Sequence, residues 1–299
     1  MASPHRALLA ACCALAALAA CANGFAVERS SSDNIDLQIV GGHDAQPKQF
    51  PHQVSMQRGF LWYDADPVHI CGGSLIAAQW VLTAAHCTYG VPDSAVRTEV
   101  VLGITDLYNE GAGAQRIVVR RQVPHVRYNP TANNGVGPYD ISLLQLSAPA
   151  TLNEWVKLVA LPAAAAVPAD GSSAILSGWG STSQDGDYPI MPERLQTAEF
   201  PVVSYAKCRS YISQVSPNEY NPLADTNLCV GPLDKTGLSS CSGDSGGPLV
   251  QRRPDGSLVQ VGVVSWGLKN CASFPYPSVF TRVSAYIDWI AAQQKSASA

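Results

Sequence analysis

From Ile39 onward the chain is divided into many short apolar runs, each bounded by Gly, Pro, Asn or Asp. The runs Gly73–Ile76, Trp80–Thr83, Val100–Leu102, Ile117–Val119, Ile141–Leu146, Ala174–Leu176, Pro248–Val250, Val259–Ser265 and Val279–Val283 have the length of strands, and several are β-branched. No convincing long helix alternates with them, which predicts an all-β sandwich or barrel rather than a parallel α/β sheet. One helix is expected at the end, from Ser284 to Gln294, where Tyr286, Ile287, Ile290 and Ala291 recur at helical spacing. If two barrels lie in tandem, their boundary falls near residues 149–168, where turn residues cluster. Hydrophobic residues make up 46% of the 299, enough for one large core or two smaller ones.

Charged residues are only 14% of the chain, the net charge is -4, and no block of five or more like charges occurs. Nothing therefore predicts binding to nucleic acid or to an anionic membrane. The N-terminus carries His5 and Arg6, an Ala/Leu-rich run from Ala7 to Ala20, and the small residues Ala20, Cys21 and Ala22, which reads as a secretory signal peptide over residues 1–22. The run is shorter than the roughly 20 residues that span a bilayer, so a secreted, extracellular product without a membrane anchor is expected. A competing reading takes Leu18-Ala19-Ala20-Cys21 as a lipoprotein signal, with Cys21 acylated. Residues 23–38 are polar, serine-rich and aperiodic, and read as a propeptide. Of nine cysteines, Cys12, Cys13 and Cys21 fall in the leader; the remaining six suit disulfides in an oxidising compartment, with their pairing open.

Amide hydrolysis needs a nucleophile, a base, a group that holds the base, and donors for the oxyanion. Gly243-Asp244-Ser245-Gly246-Gly247-Pro248 sets a serine among glycines, where the amides of Gly243 and Ser245 can face a tetrahedral oxygen. Leu82-Thr83-Ala84-Ala85-His86-Cys87 presents a histidine at the end of one apolar run, and Tyr139-Asp140-Ile141-Ser142-Leu143-Leu144 a carboxylate at the start of another. Each residue alone could be a solvated turn serine, a core histidine or a strand-end aspartate.

With Ile39-Val40-Gly41-Gly42 ahead of these motifs, and with Cys71-Gly72-Gly73-Ser74-Leu75-Ile76, Gly178-Trp179-Gly180 and Ser265-Trp266-Gly267 in support, the chain resembles the chymotrypsin-like serine proteases from Ile39 to the C-terminal helix. The resemblance implies two tandem six-stranded antiparallel β-barrels, a protease domain over 39–299, and an active site in the cleft between the barrels. It implies Ser245 as nucleophile, His86 as general base and acid, and Asp140 as the carboxylate that fixes the imidazole. It also implies the pairings Cys71 with Cys87, Cys208 with Cys229, and Cys241 with Cys271. Protein or peptide substrates, an activating protease and protein inhibitors are the implied partners of a monomer that needs no cofactor.

In such a family the new N-terminal amine of Ile39 would pair with Asp244. Gln38 stands before Ile39 where most relatives carry Arg or Lys, so a trypsin-like activator is not expected. The alternatives are a protease accepting Leu37-Gln38, trimming after a first cut at Arg29, or an Ile39 that is never freed. Ser239 aligns with the base of the substrate pocket and carries no charge, which disfavours Arg or Lys substrates. Gly267 and Ser278 align with its walls: Gly267 leaves the mouth open, whereas Ser278 narrows the slot. Ser265 and Gly267 would pair with the substrate backbone. Cleavage after Phe, Tyr, Leu or Met is expected, with elastase-like preference as the alternative. A catalytically silent homologue acting in binding or regulation is the competing class.

The stretch Gly59 to His69 is longer than usual and is expected to shape contacts beyond the scissile bond or to be a neutral insertion. Along Gly103 to Gln115, Ile104 and Ala114 stand where calcium ligands would be sought and leave Glu110 nearly alone, so no strong metal site is expected.

Overall fold

The computed structural model describes residues 39–61, 66–90, 96–183, 188–267 and 271–296. The expected signal peptide, the expected propeptide with Arg29 and Gln38, and the insertion residues Trp62, Tyr63 and Asp64 lie outside the described residues.

A short strand β1 (His43–Asp44) precedes six strands: β2 (Gln53–Phe60), β3 (Val68–Ala77), β4 (Trp80–Thr83), β5 (Val96–Leu102), β6 (Gln115–Pro124) and β7 (Ser142–Leu146). These close into an antiparallel barrel in the order β2-β3-β4-β7-β6-β5. The second half contributes β8 (Ser173–Gly178), β9 (Gln196–Val203), β10 (Asn227–Val230), β11 (Pro248–Arg252), β12 (Leu258–Trp266) and β13 (Ser278–Arg282). Their order is β9-β10-β13-β12-β11-β8, and β8 pairs back onto β9 from Ser173 opposite Pro201 to Gly178 opposite Gln196, closing the second barrel. Closure leaves neither sheet with a long free edge. The fold is the all-β, two-barrel architecture expected from the sequence.

Strands β1, β2, β9 and β10 match none of the apolar runs of the sequence, and in β2 the alternation is hidden by buried polar residues. Gln53, Ser55 and Gln57 are all buried, and Gln53 faces the seam between the barrels instead of solvent. Across that seam the Ser177 hydroxyl donates to Gln53 Oε1 at 2.7 Å, and the Ser74 hydroxyl to Gln260 Oε1 at 2.6 Å. Such pairing satisfies groups that would otherwise be costly to bury.

A second helix was also missed. Helix α1 (Tyr205–Val215) buries only Cys208 and Ile212, four residues apart, on an otherwise polar surface. Ser204 caps it by accepting from the Lys207 amide at 3.5 Å. The C-terminal helix α2 (Ile287–Ser296) starts later than expected, because Val283–Ala285 form a 3-10 turn. Tyr286 and Ile290, with Ile287 and Trp289, pack on the core of the first barrel, so the end of the chain returns across the molecule.

Candidate active site

Strand β4 delivers His86. Thr83 Oγ1 donates to the Gly72 carbonyl at 2.8 Å, Ala84 and Ala85 are fully buried, and the Cys71–Cys87 disulfide closes the turn behind the histidine. Asp140 stands just before β7 and is 1% exposed. Its Oδ1 accepts the His86 amide at 2.9 Å, and its Oδ2 lies 2.8 Å from His86 Nδ1 and accepts the Ser265 hydroxyl at 2.6 Å. A carboxylate can only accept, so Nδ1 carries the proton and Nε2 is left as the basic nitrogen. Burial alone would lower the pKa of His86, but the Asp140 charge and hydrogen bond outweigh it and raise the value.

Ser245 lies in the loop between β10 and β11, on the second barrel. Gly243 has φ 98° and Gly246 φ 77°, both in the left-handed region that glycine alone enters freely. The amides of Asp244 and Gly247 bond within the loop and that of Gly246 bonds to Val264, whereas among the described residues those of Gly243 and Ser245 make no internal hydrogen bond. These two are therefore free to donate to an oxyanion. The Ser245 carbonyl accepts from the Gly72 amide at 2.7 Å, which ties the loop to the first barrel.

Ser245 also lines a cavity of about 180 Å³ together with Ser240, Ser242, Ser265, Trp266 and Gly267. Among the described residues no lining residue is charged; Cys241 and Cys271, also in its wall, are joined in a disulfide. Ser239 and Ser278 lie beneath this lining. Their hydroxyls are 3.3 Å apart, and Ser278 Oγ accepts the Ser240 amide at 3.1 Å. A Cβ built on Gly267 would meet no described residue within 4 Å.

Asp244 is buried behind the loop, accepting from the Gly180 and Cys241 amides, each at 2.9 Å. Burial pushes its pKa up to about 6 despite those two bonds. Ile39 is fully buried in the core of the second barrel, and Val40 packs with Cys241 and Cys271.

Some neighbours carried no signal in the sequence. His69 Nε2 donates to the Gly243 carbonyl at 3.0 Å, while its Nδ1 accepts the Ser55 hydroxyl at 2.9 Å. Burial lowers the His69 pKa to about 4, against the raising effect of the Gly243 bond, so the ring is neutral at physiological pH. His69 and Met191 also line a cavity of about 690 Å³, with Val68, Tyr108, Glu99 and Arg116. Arg116 pairs with both Glu99 and Glu110, so the Glu110 carboxylate of the 103–115 loop is already engaged by a cation. The grouping of Cys71, His86 and Cys87 offers no metal site, because both sulfurs are spent in the disulfide. The third disulfide, Cys208–Cys229, anchors α1 to β10.

A family model described as Trypsin matches residues 39–290. The chain belongs to the trypsin family. It is 37% identical over 268 residues to trypsin I-P1 of Gallus gallus, covering 89% of this chain and 93% of that one. It is similar to chymotrypsin-like elastase family member 1 of Felis catus, at 38% identity over 85% of this chain and 89% of the relative. Trypsin of Phaedon cochleariae shares 35%, over 86% and 88% respectively. As a trypsin-family member the protein is a serine endopeptidase, a hydrolase that acts on proteins.

Proposed function

We propose that this trypsin-family protease is a secreted zymogen, and that its mature form begins at Ile39 and cleaves after large uncharged side chains. The contact that carries the reading is His86 Nδ1 to Asp140 Oδ2 at 2.8 Å, with Ser265 completing the carboxylate's shell. In the proposed mechanism His86 Nε2 takes the Ser245 proton as Oγ attacks the scissile carbonyl, and the amides of Gly243 and Ser245 hold the oxyanion. His86 then protonates the leaving amine, and water releases the acyl group by the same route in reverse.

Specificity follows from the cavity beside Ser245. A buried Arg or Lys would meet only serine hydroxyls at Ser239 and Ser278, leaving its charge unpaired at a cost of several kcal/mol. The open space over Gly267 admits the flat rings of Phe and Tyr, and the neutral walls also suit Leu and Met. A second reading, elastase-like preference for small side chains, is favoured by the Ser239–Ser278 pair, which lies outside the lined volume and makes the slot shallower. The larger cavity at His69 and Met191 supports a role for the 59–69 insertion in contacts beyond the scissile bond.

Activation would free the Ile39 amine to pair with Asp244, a buried carboxylate that accepts from the Gly180 and Cys241 amides among the described residues. Export is supported by the leader at residues 1–22 and by three disulfides. The activating protease is proposed to accept Leu37-Gln38 or to cut first after Arg29 ahead of trimming, and the enzyme is proposed to act as a monomer.

The test combines N-terminal sequencing of the secreted protein, organophosphate labelling and a panel of peptide anilides. Label on Ser245, an N-terminus at Ile39, and faster cleavage after Phe than after Ala or Arg are the expected results. Faster cleavage after Arg than after Phe overturns the specificity, and a labelled protein that retains Gln38 overturns the activation step.

A further inference from the structure

Asp140 belongs to the first barrel, but the groups that hold it come from the far end of the chain. Tyr139, immediately before it, has φ 67°, a left-handed conformation that a bulky residue rarely adopts without being held. The Tyr139 amide donates to the Tyr286 hydroxyl at 3.0 Å. On the other side, the Thr281 hydroxyl donates to the Asp140 carbonyl at 2.6 Å. Between these two bonds the Ile141 amide closes onto the Tyr139 carbonyl at 2.8 Å, making a tight turn with Asp140 at its centre. Ser265, which holds the carboxylate itself, lies on β12; Thr281 lies on β13, and Tyr286 lies just before α2.

We propose that Tyr286 and Thr281 are positioning residues for the triad carboxylate, fixing the backbone on either side of Asp140 so that Oδ1 and Oδ2 face the His86 amide and Nδ1. The Tyr286 ring cannot swing away. It is 4% exposed and packs edge-on to Tyr139 at 6.2 Å and to His125 at 5.6 Å, while Trp289 closes over His125 at 5.1 Å. His125 in turn stacks on Tyr139 at 4.9 Å, so the aromatic cluster rigidifies the residue whose φ is unusual. Without the Tyr286 hydroxyl, the Tyr139 amide loses its acceptor, and rotation of φ to a negative value turns the Asp140 Cβ away from His86. Because the three hydroxyls come from the second half of the chain, the carboxylate is aligned only when that half is seated on the first barrel.

The proposal rests on Asp140 acting as the triad carboxylate, and the experiment separates the two claims. Asp140→Asn, Tyr286→Phe, Thr281→Val and Thr281→Ser are compared in the activated enzyme by kcat, KM and the proton NMR signal of the His86 Nδ1–H. Tyr286→Phe keeps the ring cluster and removes one hydroxyl. It is expected to lower kcat about five- to tenfold, the effect of one lost hydrogen bond expressed in the transition state, with KM within about twofold. The Nδ1–H signal should move upfield. Thr281→Val should do the same, and Thr281→Ser should restore both. An unchanged kcat and signal in Tyr286→Phe, even with a lowered melting temperature, overturns the positioning role. If Tyr286→Phe fails to fold, equal rates for Thr281→Val and Thr281→Ser overturn it instead. Full activity in Asp140→Asn overturns the underlying assignment.

Discussion

The Ser239 amide donates to the carbonyl oxygen of Val40 at 3.3 Å, so the segment that follows Ile39 is hydrogen-bonded to the residue proposed as the base of the substrate pocket. The next pocket residue but one, Cys241, gives its amide to Asp244. The segment after Ile39, the stretch Ser239 to Cys241 and Asp244 thus form one connected unit. A change at Ile39 has a short physical path to Ser245.

Uncut protein should lose stability as pH rises past the Asp244 titration. Its pKa is raised from 3.8 to about 6 by burial, so the folded chain holds this proton more tightly than the unfolded chain does. The contribution is fully present below about pH 4 and is lost as pH rises through about 6, amounting to about 2–3 kcal/mol. Urea unfolding of Ser245→Ala protein with and without Asp244→Asn, from pH 4 to pH 7, isolates the term. Cleavage before Ile39 should remove the loss, because an amine beside Asp244 favours its charged form.

The acid limb of kcat/KM should have its midpoint above 6.5, since burial of His86 is outweighed by the charge and hydrogen bond of Asp140 and the base works only when neutral. In Asp140→Asn the raising influences are gone and burial remains. Residual activity should then show a midpoint displaced to lower pH, together with a fall in kcat of several orders of magnitude. Stopped assays from pH 5 to pH 9 measure both.

Gly267→Val should narrow the pocket mouth without harming the fold, because the new side chain enters open space. Cleavage after Phe should fall at least about tenfold while cleavage after Ala changes little, consistent with the discrimination a few methyl groups supply. Retained Phe cleavage would place the bound ring elsewhere.

Gly180→Ala should be among the most damaging single changes. Its Cβ would run into the Asp244 carboxylate, which cannot move without breaking its bonds to Gly180 and Cys241. A loss of about 2–4 kcal/mol is expected, read as a lower urea midpoint, with activity reduced through a displaced oxyanion loop.

Short apolar runs bounded by turn residues determined the all-β class. The residues around Ser245, His86 and Asp140 could be named because their motifs occur together and in order, since each alone could equally be a turn serine, a core histidine or a strand-end aspartate. Strand β2 was not legible, because Gln53 reads as a surface residue until a second barrel covers it. Helix α1 hid behind a surface that buries only two side chains. Tertiary structure alone decided that Tyr286, which the helical spacing marked only as an apolar contact, lies beside Tyr139, 147 residues away in the chain. Hydrophobic periodicity reports which residues are buried, but it carries no record of which hydroxyl meets which amide. That meeting exists only once the two barrels have closed and the end of the chain has packed back across the first.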